Sequence, residues 1–194
     1  LDTPTSGRIL LDGQDTSGYG EDQLAATRLG KLGFVFQFHF LLAEFTVLEN
    51  VLLPMRRLGK LDEGAARKRA EDLLEQLGLR EHARKHPHQL SGGQRQRVAI
   101  VRALANDPLI ILADEPTGNL DSKTGAEILQ LMRQLNQQRG QTLVIVTHDP
   151  QIGQACDRII RMQDGRIAGQ EDEALVVEYT MPLAAQKNEM VNSE

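Results

Sequence analysis

The chain has 194 residues with 40% apolar and 25% charged side chains, enough for one domain with a real core and ordinary for a globular protein. Its charge of −5 is unevenly placed: residues 171–194 hold six acids and one Lys, leaving 21 of each sign before them. A neutral body with no basic stripe and no Trp speaks against nucleic acid as the main partner, so none is expected.

In chain order, "SGRILLDGQD" (6–15) alternates and ends in Asp-Gly, which predicts a strand entering a turn. "LGFVFQ" (32–37) is a short apolar run ending in Gln37, a candidate buried strand. Residues 62–77 place Ala66, Ala70, Leu73, Leu74 and Leu77 on one helical face, with Gly78 as a C-terminal cap. A second helix is expected from Gly92 or Gly93 to about Ala105, with Ser91 as its N-cap. "LIILADEP" (109–116) and "TLVIVTHD" (142–149) are apolar runs that end abruptly in ionisable residues. Runs apolar on both faces suit parallel strands covered by helices. Between them, Ser122–Gln138 carries Ile128, Leu129, Met132 and Leu135 on one face, which completes a strand–helix–strand unit. Short strands are expected at "RIIRM" and "GRIAG", and the tail after Gln170 is expected to be loosely ordered.

A single Cys156 cannot form an internal disulfide, which fits a reducing compartment and a packing role. No apolar run approaches the roughly 20 residues that span a bilayer. The chain starts at Leu1 and its first Met is Met55, so a fragment of a longer protein is expected.

In a doubly wound sheet, ligands bind beyond the carboxyl ends of the strands. Those ends carry Gln37, the Asp114–Glu115 pair and His148. The set suits phosphoryl transfer: Asp114 as a Mg²⁺ ligand, Glu115 as general base on a water, His148 on the terminal phosphate, and Gln37 on metal or water. Taken singly, each has a plainer explanation as a loop contact, a helix cap or a turn.

Together with "LSGGQ" (90–94), "GNLD" (118–121) and "VTHD" (146–149), "LIILADEP" resembles the ATPase subunits of ABC transporters. The resemblance covers about residues 1–170, with a signature motif, a Walker B strand, a D-loop and a switch histidine, and Gln37 falls at the Q-loop. It implies an α/β P-loop NTPase-like domain with a mostly parallel sheet and an inserted helical subdomain at about 50–106. The cofactors implied are ATP and Mg²⁺. In the family the signature helix faces ATP on the opposite subunit of a head-to-tail dimer. Ser91, Gly92, Gly93 and Gln94 would then contact the partner's nucleotide, and Asp121 would lie at the dimer seam while capping the helix that starts at Ser122. A helix N-terminus with free N–H groups and two glycines suits that task.

One departure stands out. No Gly-x-x-x-x-Gly-Lys-Ser/Thr occurs: the Gly-Lys pairs at Gly30–Lys31 and Gly59–Lys60 are both followed by Leu. The adenine-stacking aromatic is also absent. The resemblance therefore implies a domain lacking its N-terminal strand and P-loop, with a gap or bare edge in the sheet. Such a chain is expected to be inactive alone, while the full-length parent is an ATPase. The dense apolar set Phe38, Phe40, Leu41, Leu42, Phe45, Val47, Leu48, Val51 and Leu52 is mostly core by composition, and in the family this region also receives a membrane permease subunit. "QFHFLLAEFTVLENV" with "GNLD" is most similar to the lipoprotein-releasing and macrolide-export group, which implies a cytoplasmic protein on the inner face of the cell membrane. The alternatives are a soluble non-transport ABC ATPase and a binding module without hydrolysis.

Overall fold

The computed structural model describes residues 4–168 and, as backbone, 175–178. The chain opens with a hairpin of β1 (Leu10–Leu11) and β2 (Gln14–Asp15). Asp12 and Gly13 both take positive φ, 53° and 72°, the backbone that lets a two-residue turn follow strand twist. The same chemistry recurs at Asp164–Gly165, which joins β6 (Arg158–Gln163) to β7 (Arg166–Ile167). α1 (Glu21–Lys31) has no buried residue. Acids in its first turn and bases in its last complement the helix dipole.

The sheet is built on β3 (Leu32–Phe36), β4 (Ile110–Asp114) and β5 (Thr142–Val146), all parallel. Register places Phe36, Asp114 and Val146 in one row, so Gln37, Glu115 and Thr147 leave the sheet side by side. One face, made of Gly33, Val35, Ile111, Ala113, Leu143 and Ile145, is buried. On the other, Leu32, Phe34, Phe36, Ile110, Leu112 and Val144 are half-buried.

β8 (Leu175–Glu178) lies antiparallel between β5 and β6, and completes a six-stranded sheet in the order β3-β4-β5-β8-β6-β7. The six strands run without a gap between β5 and β6, β3 is left as an edge, and residues 175–178 form a strand. The physical reason is the open ladder on β5: its free N–H and C=O groups need partners, and the Leu-Val-Val run is suited to supply them. The parallel block is β3–β4–β5, while the three remaining pairings are antiparallel.

Between β3 and β4 the chain makes three helices. α2 (Val47–Leu58) starts with a capping box in which Thr46 accepts from the Glu49 N–H and Glu49 accepts from the Thr46 N–H. α3 (Glu63–Gln76) is capped by Asp62 and buries Ala66, Ala70, Leu73 and Leu74, with Gly78 at φ 70° after it. α4 (Gly92–Leu104) begins at Ser91. Its C-terminal part lies directly on β3: a Cβ on Gly33 would sit 2.6 Å from the Ala103 carbonyl oxygen. α5 (Ser122–Arg139) is capped by Asp121, ends at Gly140 in the left-handed region, and buries Ile128, Met132 and Leu135. α6 (Pro150–Gln154) follows β5. One apolar core runs from Val35 through α2, α3 and α4 to Ile152, and each fully buried Leu or Ile contributes about 1.5–3 kcal/mol.

The apolar set at 38–52 divides in two. Val47, Leu48, Val51 and Leu52 are core, whereas Phe38 and Phe40 are each 64% exposed, and Leu42 and Phe45 also face solvent. The loop is nonetheless held firmly. Buried Asn50 donates to the carbonyls of Leu42, Phe45 and Thr46 and accepts from the Leu42 N–H. Arg102 donates to the carbonyls of His39 and Phe40, and the Phe40 ring meets Phe36 edge-on.

Candidate active site

Glu115 follows β4 at φ 42°, an uncommon backbone state for a residue with a side chain, and one that concentrates at functional sites. Its N–H donates to Val146 O at 2.9 Å, which ties the bend to the neighbouring strand end. Its carboxylate is surrounded by the chain that follows β5. Oε1 accepts from the His148 backbone N–H at 2.9 Å, and His148 Nδ1 lies 2.5 Å from the same oxygen. Thr147 Oγ1 donates to Oε2 at 3.2 Å. Glu115 is mostly enclosed, while the His148 ring is 89% exposed. The structure therefore brings the two residues together as a pair, and adds Thr147, which lies within the "VTHD" stretch but carries no role by the motif alone.

Asp114 ends β4 with its side chain exposed. Gln37 leaves the adjacent strand and is engaged with the loop after Glu115. Its Nε2 donates to Asn119 Oδ1 at 3.3 Å, and Asn119 Nδ2 donates back to Gln37 O at 3.1 Å. Gly118 permits this, because a Cβ there would lie 2.8 Å from Gln37 Nε2. Among the described residues no group of three or more His, Cys, Asp or Glu forms a metal cage. Asp114 and Gln37 stand at the ends of neighbouring strands, and one exposed carboxylate with an amide nearby in register is a donor set of the kind Mg²⁺ takes, since it keeps waters and phosphate oxygens as its remaining ligands.

The signature turn is a second, separate construction. Ser91 Oγ accepts from the Gln94 N–H at 3.2 Å, and Gln94 Oε1 accepts from the Ser91 N–H at 2.9 Å. The Gln94 amide nitrogen is 3.0 Å from His82 Nε2, so its side chain is committed within the chain. The Ser91 hydroxyl still has its own proton to donate outward. The glycines are used internally as well: a Cβ on Gly93 would meet Thr124 Cγ2 at 2.5 Å, and one on Gly92 would meet Leu120 at 3.4 Å. Thr124 cannot yield easily, since its hydroxyl donates to Asp121 Oδ2 at 2.6 Å while its N–H donates to Oδ1 at 3.0 Å. The Thr124 hydroxyl and, next, its N–H hold the Asp121 carboxyl below its ordinary pKa. Asp121 is thus a helix cap, and it also fixes the wall on which the signature turn rests.

The profile of the ABC transporter family matches residues 1–118. The chain belongs to the ABC transporter family. As an ABC cassette, it is 47% identical over 169 residues to a lipoprotein-releasing system ATP-binding protein, LolD 1, of Rhodopseudomonas palustris, covering 87% of this chain and 75% of the relative. It is 49% identical to the macrolide export ATP-binding/permease protein MacB of Syntrophobacter fumaroxidans, covering 86% of this chain but 24% of that longer protein. Its fold resembles that of the ATP-binding cassette MJ0796, solved as a post-hydrolysis dimer with ADP and Pi, with a TM-score of 0.76 at 46% identity over 87% of this chain and 74% of that one. The chain is accordingly an ABC transporter ATP-binding cassette of the LolD and MacB type, with the α/β fold of that family. Homologous cassettes form dimers.

Proposed function

We propose that the protein carrying this chain hydrolyses ATP to drive a membrane permease, in a head-to-tail dimer with two nucleotides at the interface. The observation that carries this is the row of strand ends: Gln37, Asp114, Glu115 and His148 converge on one edge, with Glu115 bent out of β4 and held by His148. Mg²⁺, when bound by Asp114 and Gln37, supplies charge neutralisation on the phosphates. Glu115 takes the proton of the attacking water. Oε1 is taken up by the His148 N–H and ring, while Oε2 accepts only from Thr147 and keeps a lone pair for a water. His148 then donates to the terminal phosphate. Ser91 and the α4 N-terminus bind the phosphate held by the second subunit.

The permease docks on the exposed aromatics Phe38, Phe40 and Phe45, next to a cleft of about 470 Å³ lined by Leu29, Leu32, Phe34, Phe36, Leu53 and Arg57. The subunit is peripheral on the cytoplasmic face of the membrane; no helix among the described residues is long and apolar enough to cross it. Lipoprotein release or export of a small molecule is the class of work that the LolD and MacB relatives suggest. Residues 1–194 contain no phosphate-cradling Gly-x-x-x-x-Gly-Lys-Ser/Thr, so this stretch alone binds ATP weakly and does not turn it over.

The test is sedimentation of the full-length protein with and without Mg-ATP, beside calorimetric titration of residues 1–194. ATP-dependent dimers of the former and no measurable heat from the latter are expected. A protein that hydrolyses ATP as a monomer would overturn the dimer mechanism.

A further inference from the structure

Gln96 is a buried polar residue that the proposed function leaves unused. It sits in the first half of α4, 1% exposed, among Val98, Ala99 and Ile100 of the same helix. Its Nε2 donates to Pro116 O at 2.7 Å and lies 3.4 Å from Phe36 O. Its Oε1 is buried without a donor. Pro116 follows Glu115, and Phe36 precedes Gln37. One amide therefore ties the helix that carries the signature turn to both strand ends that carry the chemistry. A buried amide with an unmatched oxygen is a poor choice for stability alone, since an apolar side chain of the same length would leave no orphan acceptor on the helix.

We propose that Gln96 is a positioning residue that couples the two nucleotide sites through its own chain, and this rests on the dimer reading above. The signature turn engages the second subunit's phosphate. α4 behaves as a rigid body, because its start is closed by the Ser91–Gln94 capping box and its C-terminal part lies on Gly33 without space between. A shift of the turn therefore moves Gln96, and Gln96 moves Pro116 and Phe36 together. Glu115 and Gln37 come into alignment only when the opposite site holds a phosphate. The unmatched Oε1 marks the present seat as incomplete, as suits a group that changes seats.

The test uses Gln96→Met and Gln96→Glu in the full-length protein. Met removes the orphan acceptor but leaves the Pro116 carbonyl without its donor, so Tm should fall by a few degrees, while kcat, assayed well below Tm, falls about tenfold with KM for ATP changed less than about twofold. The Hill coefficient for ATP should fall toward one. Without nucleotide, amide exchange should quicken at residues 36–37 and 117–118 and nowhere else. Glu at 96 regains a donor when protonated, so its kcat should recover as pH falls, which the wild type will not show. A Gln96→Met protein with wild-type kcat and cooperativity overturns the coupling. So does a kcat loss that tracks Tm, with no acid recovery in Gln96→Glu. A wild type without ATPase activity instead overturns the proposed function, and the coupling with it.

Discussion

The strand-end cluster and the signature turn are built on opposite plans. At the strand ends, the proposed working parts are side chains. Glu115 and His148 are brought together from positions 33 residues apart by the register of β4 and β5, and a single carboxylate is gripped by three donors. At the signature turn the proposed working part is the backbone. Its side chains cap the helix, and its glycines allow it to lie against Leu120 and Thr124. Chemistry placed on a side chain fails when one atom is exchanged. A site made of backbone fails when an atom is added.

The largest effect should follow from exchanging an atom at the first site. In the full-length protein, Glu115→Gln should lower kcat by about 100-fold or more with ATP binding retained, because only the basicity of the group is removed. Steady-state ATPase rates with equilibrium nucleotide binding measure it, and a wild-type rate would end the assignment of Glu115 as base.

Adding atoms at the second site comes next. Ser91→Arg should lower hydrolysis by about 10- to 100-fold and leave monomer affinity for ATP unchanged, as follows if the turn serves the partner's nucleotide as proposed. Gly93→Ala sharpens the contrast. Its new methyl must displace a Thr124 that is anchored twice to Asp121, an overpacking of about 1–3 kcal/mol, partly offset by the better helix propensity of Ala. Chemical denaturation and ATPase assays should both register it. Loss of monomer ATP affinity in Ser91→Arg would contradict the trans arrangement.

Smaller effects are expected at the docking face and at the Asp121 cap. Phe38→Asp with Phe45→Asp should leave basal ATPase within about twofold of wild type while abolishing stimulation by the permease, which reconstitution measures. Unchanged stimulation would move the docking surface elsewhere. Asp121→Ala removes a cap and should lower Tm slightly at neutral pH. Because the folded-state pKa of Asp121 is depressed, its contribution is present above the ordinary Asp range and lost as pH falls through the folded value. The Tm difference between wild type and variant should therefore close in acid, and a difference that persisted at low pH would show that the carboxylate is not the stabilising species.

Much of this was legible in the sequence because it rests on periodicity and abrupt chemistry. The β3, β4 and β5 runs, the faces of α3 and α5, and the ionisable residues at strand ends are local signals. Helix α1 was not read because it buries nothing and so has no apolar stripe. The start of α2 is legible in Thr46-Val-Leu-Glu49, a capping-box pattern. The bonds that organise the site could not be read. Gln37 with Asn119 and Gln96 with Pro116 join residues 82 and 20 positions apart, and nothing local distinguishes those amides from any surface Gln or Asn. The strand at 175–178 was hidden for a different reason: an isolated Leu-Val-Val acquires its structure only from an unfilled ladder elsewhere.

The parallel pairing of β3 with β4 also dictates how the molecule must assemble. Phe36 sits opposite Asp114, 78 positions later, with α2, α3 and α4 in between. Helices α2 and α3 adjoin in sequence and pack on each other, so that cluster closes short loops and forms first. The strand that carries Glu115 arrives late, after the helical segment has condensed, and until then the apolar edge of β3 stands open. In a ribosome-bound chain the proposed catalytic row is therefore among the last parts to exist, and the hazard of misassembly falls on the residues proposed to do the chemistry.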